Sequence, residues 1–378
     1  MYGNPPRYSI RGILTDNNNW ELYKLNHSEL DKYRIQEVER MLDCCNPKKG
    51  FFRGICLNCE KEVILHIRCN GKVCSRCGRS YVDRWVEKAE KKLFKEQHRL
   101  VTLTVPADLR PILEDRWDLL KILQDSAYET IQIVASKTLR KKGKKSVKVG
   151  MLVGLQTYGQ DMKFHPHLHC IVSEKARYKN EFIDLKFIPK DMLRRTWQKV
   201  IVKNLCKEKI SHKEKIIVQY MLELYPNGFV TDVGERSMNR REVVRYLARY
   251  MRHPAIANSR IIFYGRGIVL IRMRDKQKRE YSKWFYVDEF IGRMIQHIPP
   301  KQFRIVRWYG LYSWRVVRLE RKESKRRETI SNFIRDGSRV FRCPECKCPL
   351  DEVQFVVYKP PDNKISKEKQ SYLLGMAS

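Results

Sequence analysis

Three of the chain's nine histidines fall inside one nine-residue run, Phe164-His165-Pro166-His167-Leu168-His169-Cys170-Ile171-Val172. After Pro166 the run alternates polar and apolar residues, the period of a half-buried strand. In a strand, His167 and His169 share one face, while Leu168, Cys170 and Val172 share the other and face a core. Two imidazoles about 7 Å apart along one face can converge on a divalent cation or on a phosphate. Isolated core histidines are common, but two at i, i+2 with a third at i−2 point to function.

A second group with chemistry is Arg245-Tyr246-Leu247-Ala248-Arg249-Tyr250-Met251-Arg252. On a helix, Tyr246 and Tyr250 stand one turn apart on one face. Arg245, Arg249 and Arg252 share spacings suited to phosphate. Taken alone, such a helix reads as amphipathic, with rings inside and hydroxyls wet. Beside the histidine strand the balance changes. A tyrosine hydroxyl is a weak nucleophile at neutral pH, and a metal that polarises a scissile phosphate compensates. Histidines on a metal with a nucleophilic tyrosine describe a nuclease that nicks one strand and keeps a phosphotyrosine bond.

The third group is thiol-rich. Cys56-Leu57-Asn58-Cys59 and Cys74-Ser75-Arg76-Cys77 are C-x2-C pairs separated by 14 residues. Two such pairs complete a tetrahedral Zn²⁺ site, so Cys56, Cys59, Cys74 and Cys77 are expected to bind one structural zinc. Cys44, Cys45, Cys69 and His66 exceed what one zinc needs; they either serve a second site or replace one of the four ligands. Cys343-Pro344-Glu345-Cys346-Lys347-Cys348 is one pair with an extra cysteine. It is either a knuckle completed by a distant residue or a set of free thiols.

These groups need elements to hold them. Residues 1–20 read as irregular. A helix is expected at 28–42 with Ser28 as its N-cap, and another at 80–96 with Ser80 as cap. A mixed α/β segment follows: a strand at 100–105, a helix over 111–140, strands at 147–158 and 166–173, and a helix near 190–207. Then come a strand at 229–233, the tyrosine helix at 240–252, a hairpin over 259–274 turned at Gly265-Arg266-Gly267, a strand at 284–287 and a helix at 288–297. Pro299-Pro300 ends that helix. The expected division is a cysteine-rich zinc domain at 1–95, a catalytic domain at 96–312 and a basic C-terminal region at 313–378. The fold class is α/β (α+β), with a central antiparallel sheet flanked by helices.

Composition narrows the partner. Over 378 residues, Lys and Arg number 77 against 43 Asp and Glu, a formal charge of +34. So large an excess makes most sense opposite a polyanion, and nucleic acid is the expected partner. Aromatic residues are 11%, enough to stack on unpaired bases. No apolar run reaches 18 residues, and the N-terminal segment lacks the apolar core of a signal peptide. The expectation is a cytoplasmic protein associated with the nucleoid and not with a membrane, whose cysteines are metal ligands and not disulfides. A second copy of the chain is a further candidate partner.

His167-Leu168-His169 resembles the His-hydrophobe-His signature of the HUH endonucleases. The fuller order is narrower: the cysteine module at 44–77, the histidine run, Val244 to Tyr250, Gln296-His297-Ile298-Pro299-Pro300-Lys301-Gln302-Phe303, and Arg307-Trp308-Tyr309-Gly310-Leu311-Tyr312. Over roughly residues 40–350 this looks like the two-tyrosine rolling-circle transposases of the insertion-sequence-ninety-one type. The resemblance implies cleavage and transfer of single-stranded DNA at element ends through 5′-phosphotyrosine links, with Mg²⁺ or Mn²⁺. By position, His167 and His169 would hold the metal, and Tyr246 and Tyr250 would be the nucleophiles. One departure is Ser75, where the family's second cysteine pair usually reads Cys-Pro-x-Cys. A third metal ligand is usual in the superfamily. A hairpin pairing Tyr158 with His165 would set Gln156 opposite His167, making Gln156 the choice and Asp161 the alternative. His297 is expected to cap or pack against the Pro299-Pro300 turn.

Three rivals share parts of this pattern. A plasmid replication initiator or relaxase would use the same chemistry. His165-x-His167-x-His169 also fits histidine-triad nucleotide hydrolases, in which a histidine attacks. A zinc-dependent DNA-binding protein would bind without nicking.

Overall fold

The structure is a computed structural model. It describes residues 8–56, 58–71, 73–95, 97–140, 147–185, 188–234, 238–248, 255–275, 279–313, 343, 345–346, 348, 351–356 and 370–371. In chain order the helices are α1 (Ile10–Thr15), α2 (Asn19–Asn26), α3 (Lys32–Leu42), α4 (Ser75–Glu90), α5 (Arg110–Leu113), α6 (Trp117–Arg140), α7 (Lys190–Leu205), α8 (His212–Leu224), α9 (Arg240–Ala248) and α10 (Val287–Ile295). The strands are β1 (Phe51–Cys56), β2 (Lys61–His66), β3 (His98–Thr104), β4 (Val147–Tyr158), β5 (Phe164–Tyr178), β6 (Glu181–Asp184), β7 (Thr231–Val233), β8 (Ile261–Gly265), β9 (Ile268–Arg274), β10 (Glu280–Tyr286), β11 (Val306–Gly310), β12 (Asp351–Val356) and β13 (Gln370–Ser371).

The expected central antiparallel sheet runs β11-β4-β5-β3-β7, with β6 pairing β5. Its long middle strands are buried on both faces, because helices cover both. One face carries Val101, Leu103, Met151, Val153, Leu155, Leu168, Cys170 and Val172 into the main core. There α6 presents Leu120, Leu123, Ala127, Ile131 and Val134 at spacings of three and four, and α7 adds Trp197 and Ile201. The opposite face carries Leu152 and Ile171, which meet Val243, Val244 and Leu247 of α9 together with Ala89 of α4 and Leu93 just beyond it.

Two glycines of β4 let that second layer approach. A Cβ at Gly154 would stand 2.5 Å from Leu247 Cδ1, and one at Gly150 would stand 2.8 Å from the Tyr312 ring. The Tyr312 hydroxyl then reaches His98 Nε2 at 2.7 Å.

A second core joins distant parts of the chain. Ile10, Ile13, Leu14 and Trp20 of α1 and α2 pack with Val38 and Met41 of α3, Val269 and Ile271 of β9, and Phe290 and Ile291 of α10. Here β8, β9 and β10 form their own antiparallel sheet. A third sheet runs β13-β12-β1-β2, so a C-terminal strand pairs with an N-terminal one.

Several boundaries differ from expectation. Residues 10–26 are largely helical and not irregular: Asn17 and Asn18 take positive φ, 47° and 56°, and kink the chain between α1 and α2 without ending it. Burial in the second core holds these short helices, which local propensity would not. Asp31, not Ser28, caps α3 by accepting the Arg34 amide at 3.2 Å. The next helix begins at Ser75 with Cys74 as N-cap, because Cys74 and, in the first turn, Cys77 join a sulfur cluster. The expected helix over 111–140 breaks at Asp115, whose φ is 54°, giving α5 and α6. The tyrosine helix is described to Ala248; residues 249–252, and with them Tyr250, lie outside the described residues.

The Gly154–Leu247 contact yields a stability prediction. G154A is expected to lose about 1–3 kcal/mol through overpacking, and L247A about 2–5 kcal/mol through the cavity it leaves. In urea denaturation the double variant should lose less than the sum, because each change relieves the other. Simple additivity would mean that this contact does not set the spacing.

Candidate active site

β5 carries the histidines, with β4 on one side and β3 on the other. Gly154 lies opposite His169 and Gln156 opposite His167 across β4; Thr102 and Thr104 lie opposite the same histidines across β3. Directly opposed residues share a face, so both histidines and Gln156 stand on the α9 side. The register reaches this arrangement by a different route from the expected one: Tyr158 pairs with Phe164, and a bulge between Gln156 and Tyr158 absorbs the offset.

The side chains converge. His167 and His169 rings are 4.9 Å apart, and His165 lies 5.2 Å from His167. Gln156 Oε1 lies 3.0 Å from His169 Nε2, and Gln156 Nε2 donates to the Tyr158 carbonyl at 3.1 Å. His167 Nδ1 pairs with the His165 carbonyl at 2.8 Å, which makes Nδ1 the protonated nitrogen and leaves Nε2 with a lone pair that could ligate. Asp161 instead accepts the Lys163 amide at 3.2 Å in the β4–β5 turn.

The protonation state of the two rings suits ligation. Burial lowers the His167 pKa, and the nearby Arg110 charge lowers it further. Burial, with a smaller contribution from His167, takes His169 down to about 3. Both rings are therefore neutral at neutral pH, the form that ligates metal. Two ligand atoms on one octahedral ion at about 2.1 Å would lie about 3 Å apart, which is the His169–Gln156 spacing. Gln156 and His169 thus lie at a spacing compatible with one divalent cation, with the His167 ring beside them.

Tyr246 comes to this face. Its ring lies 5.8 Å from that of His169 at 76°, edge to face. Local sequence explains the helix that presents it: Asn239 Oδ1 accepts the Glu242 amide at 3.0 Å, and Glu242 accepts the Asn239 amide at 3.1 Å, a reciprocal cap. The apolar side of α9 is buried, and Arg245 stays exposed.

Two features escaped the sequence. Arg110 opens α5 and sets its charge against His167; its Nε is buried without a hydrogen-bond partner among the described residues. Among 77 basic side chains nothing distinguished it. The other is a cavity of about 530 Å³ along edge strand β11, lined by Lys92, Arg304, Val306, Trp308 and Tyr312 among others. Lys92 Nζ lies 5.4 Å over the Trp308 ring. Val306 pairs with Gly154, itself paired with His169, so this lining residue stands two strands, about 10 Å, from His169 on the same face.

His297 is buried and structural. Its Nδ1 meets Thr157 Oγ1 at 3.0 Å and its Nε2 the Met162 carbonyl at 3.1 Å. Gln296 also donates to the Met162 carbonyl, at 3.3 Å. The pair thereby clamps the turn between β4 and β5.

The cysteines assemble differently from the expected grouping. Cys56, Cys59, Cys74 and Cys77 do not form one site. Cys74 and Cys77 join Cys44 and Cys69, whereas Cys56 and Cys59 join Cys343 and Cys346. Spacing suggested that the two C-x2-C pairs meet each other, but β1 and β2 carry the first pair into another sheet. In the first cluster, Cys44 lies 3.5 Å from Cys77 and 3.6 Å from Cys74, and Cys69 lies 3.6 Å from Cys77. Zn–S bonds of 2.3 Å in a tetrahedron require sulfurs about 3.8 Å apart, so this cluster fits structural zinc. A hydrogen bond from the Cys69 thiol helps take Cys74 down to about 5, towards the ligating thiolate. Cys45, 3.9 Å from Cys44, and the exposed His66 stand outside the four.

The known proteins to which this chain is similar are transposases. Residues 150–320 match the family described as "Putative transposase", and residues 16–105 match "Transposase zinc-binding domain". The chain is 25% identical over 328 residues to the "Transposase for insertion sequence element IS801" of Pseudomonas savastanoi pv. phaseolicola, covering 81% of this chain and 77% of that protein. It is 24% identical over 310 residues to the "Putative transposase y4qJ" of Sinorhizobium fredii, covering 77% of each. No solved structure matches significantly.

His297 gives a pH prediction. Burial lowers its pKa from 6.5 to about 4. The unfolded chain takes up this proton first as pH falls, so the contribution of His297 to stability is complete above 6.5 and is lost as pH drops towards 4. The loss is at most about 3 kcal/mol. Urea titrations across this range should show a steeper decline for the native chain than for H297Q; equal slopes would contradict it.

Proposed function

Because the chain belongs to the transposases of the insertion-sequence-ninety-one type, with a zinc-binding domain on its N-terminal side, we propose that it nicks and rejoins single-stranded DNA at element ends through 5′-phosphotyrosine links. Rolling-circle transposition is the process this serves. The observation that carries the reading is the packing of Tyr246 against His169, on the face shared with His167 and Gln156.

His167, His169 and Gln156 would hold Mg²⁺ or Mn²⁺, which when bound withdraws charge from the scissile phosphate. The chain's own residues do the rest. Tyr246 Oη forms a bond to phosphorus as the bond to the 3′ oxygen breaks. The phenol gives up its proton, and the departing 3′ oxygen gains one. The products are a 5′-phosphotyrosine and a free 3′ hydroxyl, so bond energy is conserved and no nucleotide cofactor is consumed. The free hydroxyl can reverse the reaction on another strand.

Tyr250, one helical turn on in the sequence, is the second nucleophile in this reading, allowing two strands to be held in succession. Arg110 sets positive charge beside the phosphate position. The β11 cavity suits the neighbouring nucleotides, with Trp308 as a stacking surface and Lys92 and Arg304 for phosphates. The +34 charge supplies general affinity for DNA.

Phenylalanine keeps the tyrosine ring and deletes only the hydroxyl. With single-stranded element ends, Y246F and Y250F should each impair strand transfer, and Y246F/Y250F should form no covalent adduct; an adduct in the double variant places the nucleophile elsewhere, Tyr264 being the next tyrosine along. H167A/H169A should lose nicking by about 10³-fold or more while DNA affinity stays within a few-fold, since basic side chains carry it. Full cleavage by that variant in EDTA would remove the metal from the reaction. W308A should weaken single-strand binding by about 1–3 kcal/mol, and unchanged affinity would exclude stacking there.

A further inference from the structure

We propose that Cys56, Cys59, Cys343 and Cys346 form a second zinc site, which latches the C-terminal segment onto the N-terminal cysteine module. The zinc-binding match ends at residue 105, so half of these ligands lie far outside it. The four sulfurs lie within 4.8 Å of one another. Cys346 is 3.4 Å from Cys56 and 3.8 Å from Cys59, and Cys343 is 3.7 Å from Cys59. These values bracket the tetrahedral edge of about 3.8 Å for four thiolates on zinc. Disulfide partners would lie near 2.05 Å, and all four cysteines are free.

The surroundings give an independent argument. Cys56 ends β1 and Cys59 lies in the turn to β2, while the C-terminal pair comes just before β12. β12 then pairs antiparallel with β1, from Phe51 opposite Val356 to Ile55 opposite Asp351. The described core beneath this sheet is tiny: Cys56, Val63 and Cys343 are buried, with Leu65 and the remaining cysteines partly so. An ion pair between Lys61 and Glu345 is more than half exposed at both ends and contributes little. The cysteines that meet here are separated by 284 to 290 residues of chain, and one metal ion joins such distant segments directly. The knuckle is also shaped for ligation, since the Cys343 amide donates to the Cys348 carbonyl at 2.9 Å and folds Cys346 back beside Cys343.

The latch is separate from the Cys44–Cys69–Cys74–Cys77 cluster, and neither needs the nicking chemistry. Its test is therefore a metal count. Full-length reduced protein should carry two zinc atoms per chain. C343S/C346S should carry one, whereas C346H, which still offers a ligand, should keep two. Hydrogen exchange at the β12 amides should rise in C343S/C346S while that of α4 stays unchanged. If the double variant fails to fold, cobalt substitution of the native chain decides: tetrathiolate absorption should saturate only at two equivalents. One zinc in the native chain, two in C343S/C346S, saturation at one cobalt, or oxidised Cys56 and Cys346 in the reduced preparation would each overturn the proposal.

Discussion

The closeness of α9 to the central sheet is the constraint on which the site depends. Leu247 occupies the space above Gly154 that any other residue would fill. Gly154 lies opposite His169, and Tyr246 precedes Leu247, so the contact that seats the helix also seats the tyrosine ring on the imidazole. Packed interiors transmit such sub-ångström demands with little slack. A helix held farther away would keep every motif and lose their meeting.

A second constraint acts on the other end of the hairpin. The β4–β5 turn could sway and carry Gln156 and His165 with it. His297 and Gln296 bind the Met162 carbonyl, and His297 also holds Thr157. A sequence motif more than 130 residues away thus steadies the donor set without joining it. The neutral state of His167 and His169 follows from the same burial, and a neutral imidazole is the form able to ligate a metal.

The cysteine module is joined to this site by packing. α4 begins in the Cys44–Cys69–Cys74–Cys77 cluster and runs about 24 Å. Near its end, Ala89 shares a core with Val243, Val244 and Leu247 of α9. Structural zinc at the start of α4 therefore bears on the position of the tyrosine helix. The cluster itself sits in the core built by α1–α3, β8–β10 and α10, so the N-terminal helices and the second sheet frame it together.

The sequence by itself determined what depends on short-range pattern. Alternation fixed the face of His167 and His169, helical spacing placed Tyr246 on α9, and the strands and helices between residues 98 and 224 mostly follow from periodicity and breakers, β6 and α8 excepted. The hairpin also set Gln156 opposite His167, although a bulge and not the simple register does so. Tertiary structure decided what depends on long-range meeting. Two C-x2-C pairs in sequence looked like partners, yet each pairs with cysteines from elsewhere, because thiolates carry no label of their partner and sheet pairing chooses it. Arg110 was one of many basic residues until folding set it against His167. The helical state of residues 10–26 rests on burial against β9 and α10, and no local propensity contains those contacts.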